Sequence, residues 1–288
     1  MLLLRSVNFT MPGPIQLQPA FAIDDPALLK TDLTSCTLLL MAGSNQFNYA
    51  ILDEANQKFI DLKSYHYQLS RQWKTELEML ERFFDADPIL YTAFNKVKIA
   101  VVSDKNVLVP SRIYHPHLKK DFLSFSQILN TDELVLADDI NEWDIVNIFG
   151  ADRYMAGFLR KEFSTAKIYH AGSALLKAIT KYVQEDEAPK LFLFIQPQQF
   201  TIAGANEKQL QFYQTYFYQT AADVVYYLHT IAQQLQFPIK DTRFYLGGDI
   251  TADSKIFEEL YKFLPEITWL KRPDQFYYAN AFQQFPSN

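Results

Sequence analysis

Two stretches of the chain follow the same order of apolar and polar positions. The first, 37–69, consists of an apolar run, a Gly-Ser-Asn turn, a second run and a third run in which apolar and polar residues alternate. Short runs separated by turn residues predict three antiparallel strands. A predicted helix follows, with Ser70 as its cap, apolar residues at helical spacing and Pro88 at its end.

The second stretch, 191–234, repeats this order. Three apolar runs separated by turns come first, and Thr220 and Asp223 then form a T-x-x-D capping signal at the start of a helix. Each unit is followed by a further predicted strand, in 96–110 and in 242–251. We therefore predict a two-lobed α/β protein made by duplication of a strand-strand-strand-helix-strand unit.

The segments between the units define the predicted lobes. Residues 121–163 predict a mostly helical insertion with a short strand at 133–137, followed by a strand ending near His170 and a helix beginning near Gly172. The charged segment 184–190 is the strongest linker signal in the chain. The predicted lobes are residues 1–186 and residues 187–288.

Composition and charge exclude several classes of function. The net charge is −6 and the basic residues are scattered, whereas a nucleic-acid surface needs a basic stripe. No apolar run approaches the length of a membrane span, and the opening Met1–Ser6 is too short for a signal-peptide core. The single cysteine, Cys36, lies beside an apolar run and predicts a buried thiol. We expect a cytoplasmic protein with no nucleic-acid partner.

A glycine pair is the strongest candidate for chemistry. Gly247 and Gly248 end an apolar run, although the chain has only 8 glycines. Adjacent glycines let a backbone approach a phosphate, or they only turn the chain. Asp249 and Asp253 come next, and their position at a predicted helix start indicates capping and dipole complementation.

Two other polar groups predict ordinary surface structure. The His115-Pro116-His117 stretch has no third ligand at a recognisable spacing, so it predicts a surface turn rather than a metal site. Asp138, Asp139 and Asp144 have no partner motif and predict a solvated acidic face. We predict neither a metal site nor a catalytic residue.

Three segments resemble the actin-like ATPase superfamily, which includes sugar kinases, heat-shock-type chaperones and PilM-like pilus-assembly proteins. Residues 38–53 resemble its first phosphate hairpin, and 164–179 resemble the strand and helix by which PilM-like proteins pass between lobes. Residues 243–260 resemble the strand, Gly-Gly turn and helix that pack on the adenosine. The whole chain is also similar to a bacterial family of uncharacterised proteins, a domain of unknown function with an actin-like ATPase fold.

This resemblance implies an α/β bilobal actin-like ATPase fold, a duplicated ribonuclease H-like arrangement with mixed sheets. It places a degenerate nucleotide cleft at four residues: Gly43, Ser44, Gly247 and Gly248. The first hairpin of the superfamily reads D-x-G-[ST], but here a thioether, Met41, replaces the acid and cannot bind magnesium. The second hairpin has Gln196 and Pro197, with neither an acid nor a glycine in the turn.

Two functions follow from these departures. We expect a non-catalytic cytoplasmic scaffold or regulatory adaptor, without a cofactor, that binds an unidentified protein partner in the interlobe cleft or on a sheet edge. Similarity to PilM-like proteins, which are partners of membrane assemblies, implies a place at the periphery of such an assembly. The alternative is an ATP-binding protein with weak or unusual hydrolysis, which uses the Gly43-Ser44 backbone for phosphates and the Gly247-Gly248 turn for adenosine.

Overall fold

A computed structural model of the chain describes residues 17–43, 45–69, 75–273 and 275–278. The strands of these residues are β1 (Phe21–Asp24), β2 (Cys36–Gly43), β3 (Gln46–Asp53), β4 (Lys58–His66), β5 (Lys96–Val101), β6 (Asn106–Pro110), β7 (Glu133–Ile140), β8 (Ile145–Asp152), β9 (Ile168–His170), β10 (Lys190–Gln196), β11 (Gln199–Asn206), β12 (Gln209–Phe217), β13 (Arg243–Gly248), β14 (Ile267–Trp269) and β15 (Tyr277–Tyr278). The α-helices are α1 (Glu76–Ala86), α2 (Lys119–Ser124), α3 (Arg153–Glu162), α4 (Ala171–Glu185), α5 (Ala221–Gln234) and α6 (Lys255–Phe263).

The two large sheets have the same topology, which confirms the predicted duplication. The first sheet has the order β1-β4-β3-β2-β5-β9, and β15 also pairs with β4. The second has the order β12-β11-β10-β13-β14. In each sheet a meander of three antiparallel strands is followed by strands that pair in parallel. Even the register irregularities match, since one falls between Ile51 and Leu52 and the other between Gly204 and Ala205.

The region between the repeats differs from its prediction. Residues 121–163 contain two eight-residue strands, β7 and β8, so a mostly helical insertion is wrong. Residues 96–110 form two strands rather than one, because β5 joins the first sheet whereas β6 pairs with β8 in a separate three-stranded sheet. Asp144, in a left-handed conformation with φ 51°, turns the chain from β7 into β8.

Each lobe has its own core. One apolar cluster joins the first sheet to α1 and α3, and another joins the second sheet to α5 and α6. A third cluster packs α4 against the other face of the second sheet, with Phe192 stacked on Tyr245. Cys36 is fully buried in the first cluster, as predicted. The lobe boundary at residue 186 stays a prediction.

Helix starts follow local capping chemistry. Thr220 and Asp223 form the predicted capping box of α5. Thr75 caps α1 in the same way, while the predicted cap Ser70 lies outside the described residues. Ser254 caps α6, so capping by Asp249 or Asp253 is wrong. No helix in the described part of the chain has the length and apolar character needed to cross a membrane.

Candidate functional site

The two lobes enclose a cavity of about 690 Å³, which we call the interlobe cleft. One wall is the face of the first sheet that carries Gln46 and Asn48, and the other is formed by the strand ends at 194–196 and 248–251. Arg272, Pro273, Phe276 and Tyr278 border the cleft because β15 pairs with β4 of the first sheet. The volume lies within the range of about 300–1,000 Å³ that is usual for ligand sites.

The first hairpin places uncharged side chains in the cleft. Met41 of β2 lies directly opposite Asn48 of β3, and Gln46 lies two residues before Asn48. Side chains at this spacing share one face of a sheet, so all three line the cleft. The Asn48 amide donates to Gln46 Oε1 at 3.1 Å. A thioether and two amides therefore occupy this wall.

The second hairpin also carries an amide pair. Gln196 and Gln199 are opposite each other where β10 and β11 meet, and Gln199 Nε2 donates to Gln196 Oε1 at 3.2 Å. Pro197 and Gln198 form the turn, and the positive φ of Gln198, 62°, suits its second central position. From the sequence, Gln196 was predicted only to replace an acid of the second hairpin. The sequence does carry a sign that Gln196 belongs to the site, because an amide residue lies next to the hairpin turn in both repeats: Gln46 in the first and Gln196 in the second.

The predicted site residues do not all come together. Gly248 lines the interlobe cleft, but Gly247 lies inside β13 against the side chain of Leu270. Gly43 lines a different cavity, and Ser44 lies outside the described residues. Gly248 has φ 96° and lies against the backbone of Ile195 in β10. Gly43 has φ 113° and lies against the backbone of Val102, the residue that follows β5. Both glycines are thus required by close strand packing.

The cavity that Gly43 lines is polar and has a volume of about 800 Å³. It lies between the first sheet and the three-stranded sheet, where Lys105 contacts Glu133 and donates to the Ile128 carbonyl oxygen at 3.0 Å. Burial raises the pKa of Glu76, which borders the same cavity. Gly43 is therefore turned toward a site other than the one to which Gly248 belongs.

Few charged side chains line the interlobe cleft. His66, the last residue of β4, places its Nε2 3.2 Å from Oδ2 of Asp249, the residue after β13. This contact connects the two lobes. The Arg272 guanidinium lies 5.3 Å from the centre of the Tyr278 ring. No group of three or more His, Cys, Asp or Glu side chains that could hold a metal ion occurs among the described residues.

His115 and His117 are exposed beside Pro116, as predicted for a surface turn.

A buried polar junction, which the sequence analysis missed, lies at the start of α4. His170 Nε2 is 2.9 Å from the Ser103 carbonyl oxygen, and His170 Nδ1 accepts from the Gly172 N–H at 3.1 Å. The backbone N–H of His170 donates to Asp138 Oδ2 at 2.7 Å. Asp138 is buried, so the predicted location of Asp138 on a solvated face is wrong. Burial lowers the pKa of His170 to about 4, which keeps the imidazole neutral.

These features define the class of protein. Two lobes with the same 3-2-1-4-5 strand order, joined around a cleft, form an actin-like ATPase fold with mixed sheets. The chain belongs to the family described as "Protein of unknown function (DUF3822)", whose model matches residues 25–267. No curated protein matches the sequence.

Two solved structures show the same fold. A protein of Bacteroides thetaiotaomicron VPI-5482, with an actin-like ATPase fold and unknown function, is 18% identical with a TM-score of 0.74, and the match covers 82% of this chain and 91% of that one. The PilM-PilN type IV pilus biogenesis complex contains a chain that is 10% identical with a TM-score of 0.53, covering 87% of this chain and 92% of that one. At these identities the likeness concerns the fold alone.

Proposed function

We propose that this protein is a non-catalytic actin-like scaffold or regulatory adaptor of the cytoplasm, which binds a protein partner instead of turning over a nucleotide. One observation carries the proposal. The cleft-facing hairpin positions are occupied by Met41, Gln46, Asn48 and Gln196, none of which carries a charge. Phosphoryl transfer in a site of this type depends on electrostatic stabilisation, which uncharged amides and a thioether supply poorly.

The remaining charges in the cleft do not replace the missing acids. Magnesium prefers oxygen ligands, above all carboxylates. The carboxylate of Asp249 lines the cleft, but it is 56% exposed and lies against His66. Pro197 in the second hairpin has no N–H with which to hold a phosphate. The cleft is thus better suited to an uncharged occupant than to a magnesium nucleotide.

A partner-binding role has a precedent in the fold. The PilM chain, similar in fold, belongs to a complex with PilN. By analogy, this protein would bind a segment of a component at the periphery of a membrane assembly. An extended segment could lie in the interlobe cleft or pair with the outer edge of β12, which among the described strands pairs only with β11.

Binding of ATP is the second candidate function. The volume of the cleft and the presence of Gly248 at its edge favour it. In this case Gly248 would contact the adenosine, and hydrolysis would be weak because the acids are missing. Thermal unfolding separates the two candidates, since a ligand at a hundredfold excess over its dissociation constant adds about 2.7 kcal/mol of stability.

The test uses the purified full-length chain. We expect no change in melting temperature with millimolar ATP, ADP or GTP, with or without magnesium, and no release of phosphate from magnesium ATP. An ordinary rate of hydrolysis that the Asp249→Asn or Gln196→Leu variant abolishes would refute the proposal. Hydrolysis that both variants retain would identify a contaminating enzyme. A nucleotide-dependent stabilisation without hydrolysis would establish the second candidate.

A further inference from the structure

Each amide of the two hairpins at the interlobe cleft keeps one polar atom without a hydrogen-bond partner in the described part of the protein. Among the described residues, seven buried side-chain nitrogen or oxygen atoms have no partner. Four of the seven belong to the two hairpin pairs: Gln46 Nε2, Asn48 Oδ1, Gln196 Nε2 and Gln199 Oε1. A buried polar atom without a partner destabilises a fold, and native proteins keep few of them. Their concentration at one place indicates hydrogen bonds to a bound molecule.

This pattern does not depend on the orientation assigned to each amide. One hydrogen bond joins Gln46 to Asn48, so one NH₂ group and one carbonyl group of the pair remain unused. Rotation of both amides by half a turn would reverse the bond and again leave one NH₂ and one carbonyl. The same holds for Gln196 and Gln199. In either orientation the first hairpin offers a donor and an acceptor side by side.

The amides are built into the walls rather than displayed on the surface. Gln46 is 3% exposed and Gln196 is 6% exposed, and both line the cleft. Gln199, 1% exposed, hydrogen-bonds to Gln196 without lining the cleft. Side chains held this firmly present their polar groups in fixed directions, which favours recognition of one arrangement of donors and acceptors.

The rest of the cleft defines the chemistry of the ligand. Apolar side chains dominate around the amides, among them Met41, Phe194 and Ile195. The carboxylate of Asp249 and the guanidinium of Arg272 both line the cleft and carry opposite charges, so together they supply no net charge for a phosphate or a carboxylate. The complementary ligand is therefore uncharged, carries hydrogen-bond donors and acceptors in alternation, and has apolar substituents.

We propose that the interlobe cleft binds an extended, uncharged and largely apolar segment of the partner protein. A peptide unit carries one N–H and one C=O, which match the free acceptor and donor of the Gln46–Asn48 pair. Gln196 offers its unpaired group, the NH₂ in this orientation or the carbonyl oxygen after rotation, to another peptide unit of the same segment. Main-chain hydrogen bonds give affinity in this mode, and apolar contacts select the side chains. This inference rests on the proposed function and specifies its site and ligand.

The test begins with a displayed library of random short peptides, selected on the immobilised full-length protein. We expect the selected peptides to lack charged residues and to be rich in apolar ones. Two double variants then remove each amide pair as a whole: Gln46→Leu/Asn48→Leu and Gln196→Leu/Gln199→Leu. Binding of a selected, fluorescently labelled peptide should weaken at least about fivefold in each. A control variant, Gln233→Leu/Gln234→Leu, removes two exposed amides of α5 and should bind as the wild type does.

A second readout separates recognition from a structural role. Because each double variant removes unpartnered buried atoms, its melting temperature should equal or exceed that of the wild type. Loss of binding together with a preserved or raised melting temperature supports the proposal. A lowered melting temperature, selection of charged peptides or peptide binding that both double variants retain would overturn it.

Two further probes identify other occupants. Adenosine or ATP binding that the double variants weaken would assign the cleft to a nucleoside. Binding of a synthetic peptide of residues 279–288, which has no charged side chain, with the same dependence on the amides would assign it to the chain's own segment. Either result overturns the proposal. A defined partner that binds the double variants as tightly as the wild type would leave the adaptor function intact and place its site elsewhere.

Discussion

Gly248 packs so closely on Ile195 that a Cβ atom at Gly248 would lie 2.8 Å from the Ile195 amide nitrogen and closer still to its carbonyl oxygen. The Asp249 N–H donates to that carbonyl at 2.8 Å, which fixes the distance between β10 and β13. Gly248 also has φ 96°, a conformation that other residues rarely adopt. The glycine is therefore needed by the fold whether or not the cleft holds a nucleotide.

We predict that Gly248→Ala lowers the free energy of unfolding by at least about 2 kcal/mol, because both the clash and the positive φ act against a Cβ. Urea denaturation measures this change. Gly157→Ala is the matched control: Gly157 lies in α3 with no atom near its would-be Cβ, so alanine should stabilise by about 0.5–1 kcal/mol. Equal stability of the Gly248→Ala variant and the wild type would contradict the packing described above.

The buried imidazole of His170 predicts a loss of stability in acid. Its pKa is lowered to about 4 from the ordinary value of 6.5, because burial disfavours the charged form. Between these pH values the unfolded chain binds a proton that the folded chain does not, so this group destabilises the fold as the pH falls from 6.5 toward 4. The free energy of unfolding of the wild type should be lower at pH 4.5 than at pH 7, and we expect His170→Asn to reduce this difference by about 2 kcal/mol.

Urea denaturation at the two pH values measures the His170 contribution. Asparagine preserves a capping side chain at the start of α4, so the variant tests titration rather than loss of the cap. His229→Asn, at an exposed position of α5, should leave the pH dependence unchanged. An unchanged pH dependence in the His170→Asn variant would show that the imidazole takes up a proton as readily in the folded chain as in the unfolded chain.

Asp61 predicts the opposite dependence on pH. Its side chain is fully buried in β4, directly opposite Asp24 of β1. Burial raises its pKa to about 7, Asp24 and Asp87 add to the rise, and Lys63 opposes it. The folded chain therefore holds a proton that the unfolded chain releases between about pH 4 and pH 7, so this group's contribution falls as the pH rises through that window.

We expect the change in the free energy of unfolding caused by Asp61→Asn to be more favourable at pH 8 than at pH 5 by at least about 1 kcal/mol. Each pKa unit corresponds to about 1.4 kcal/mol. Chemical denaturation at both pH values provides the measurement. Asp241→Asn, at an exposed position, serves as the control and should have the same small effect at both. A stabilisation of equal size at pH 5 and pH 8 would mean that Asp61 does not titrate between them.

The linker between α4 and β10 contains a buried ammonium. Lys190 is 1% exposed, and its Nζ lies 2.6 Å from Asp186 Oδ1, 2.9 Å from the Asp186 carbonyl oxygen and 3.1 Å from the Ala188 carbonyl oxygen. All three N–H donors have acceptors. We predict that Asp186→Ala lowers the free energy of unfolding by about 2 kcal/mol because it leaves this buried charge without its carboxylate and also removes the ion pair between Asp186 and Arg243.

The Asp186→Ala change is measured best against Glu185→Ala, which removes an exposed carboxylate from the preceding residue and should change stability by less than about 0.5 kcal/mol. If both variants lose the same amount of stability, the ion pair contributes nothing beyond the change of net charge. Lys190→Met supplies an independent check, since it removes the charge together with its need for a partner.

The order of elements could be predicted because it depends on short-range patterns. Apolar runs and turn residues at 37–69 and 191–219 gave the two meanders, and the T-x-x-D signal at Thr220 gave the start of α5. The three-stranded sheet was missed because β6 pairs with β8, about 40 residues later, and because only a short strand at 133–137 was predicted where β7 and β8 form a hairpin. Pairing over that distance leaves no mark on the local period.

The candidate site was predicted only in part. The replacement of acids by Met41 and Gln196 could be read from the hairpin positions. The separation of Gly43 from Gly248 could not, because it depends on which cavity each strand end borders. Similarly, Asp138 has the sequence context of a surface acid but is buried, since His170 and α4 pack over it.

The duplicated framework, the capping of α5 and the loss of acids at both hairpins can all be predicted from the residue pattern alone. These depend on the kind of residue at each position and on spacing along the chain. The tertiary structure brings Gln46, Asn48 and Gln196 into one cleft, where each keeps one polar atom without a partner among the described residues. Hydrogen-bond satisfaction is a property of side chains brought together from distant segments, and it is fixed when the two lobes pack.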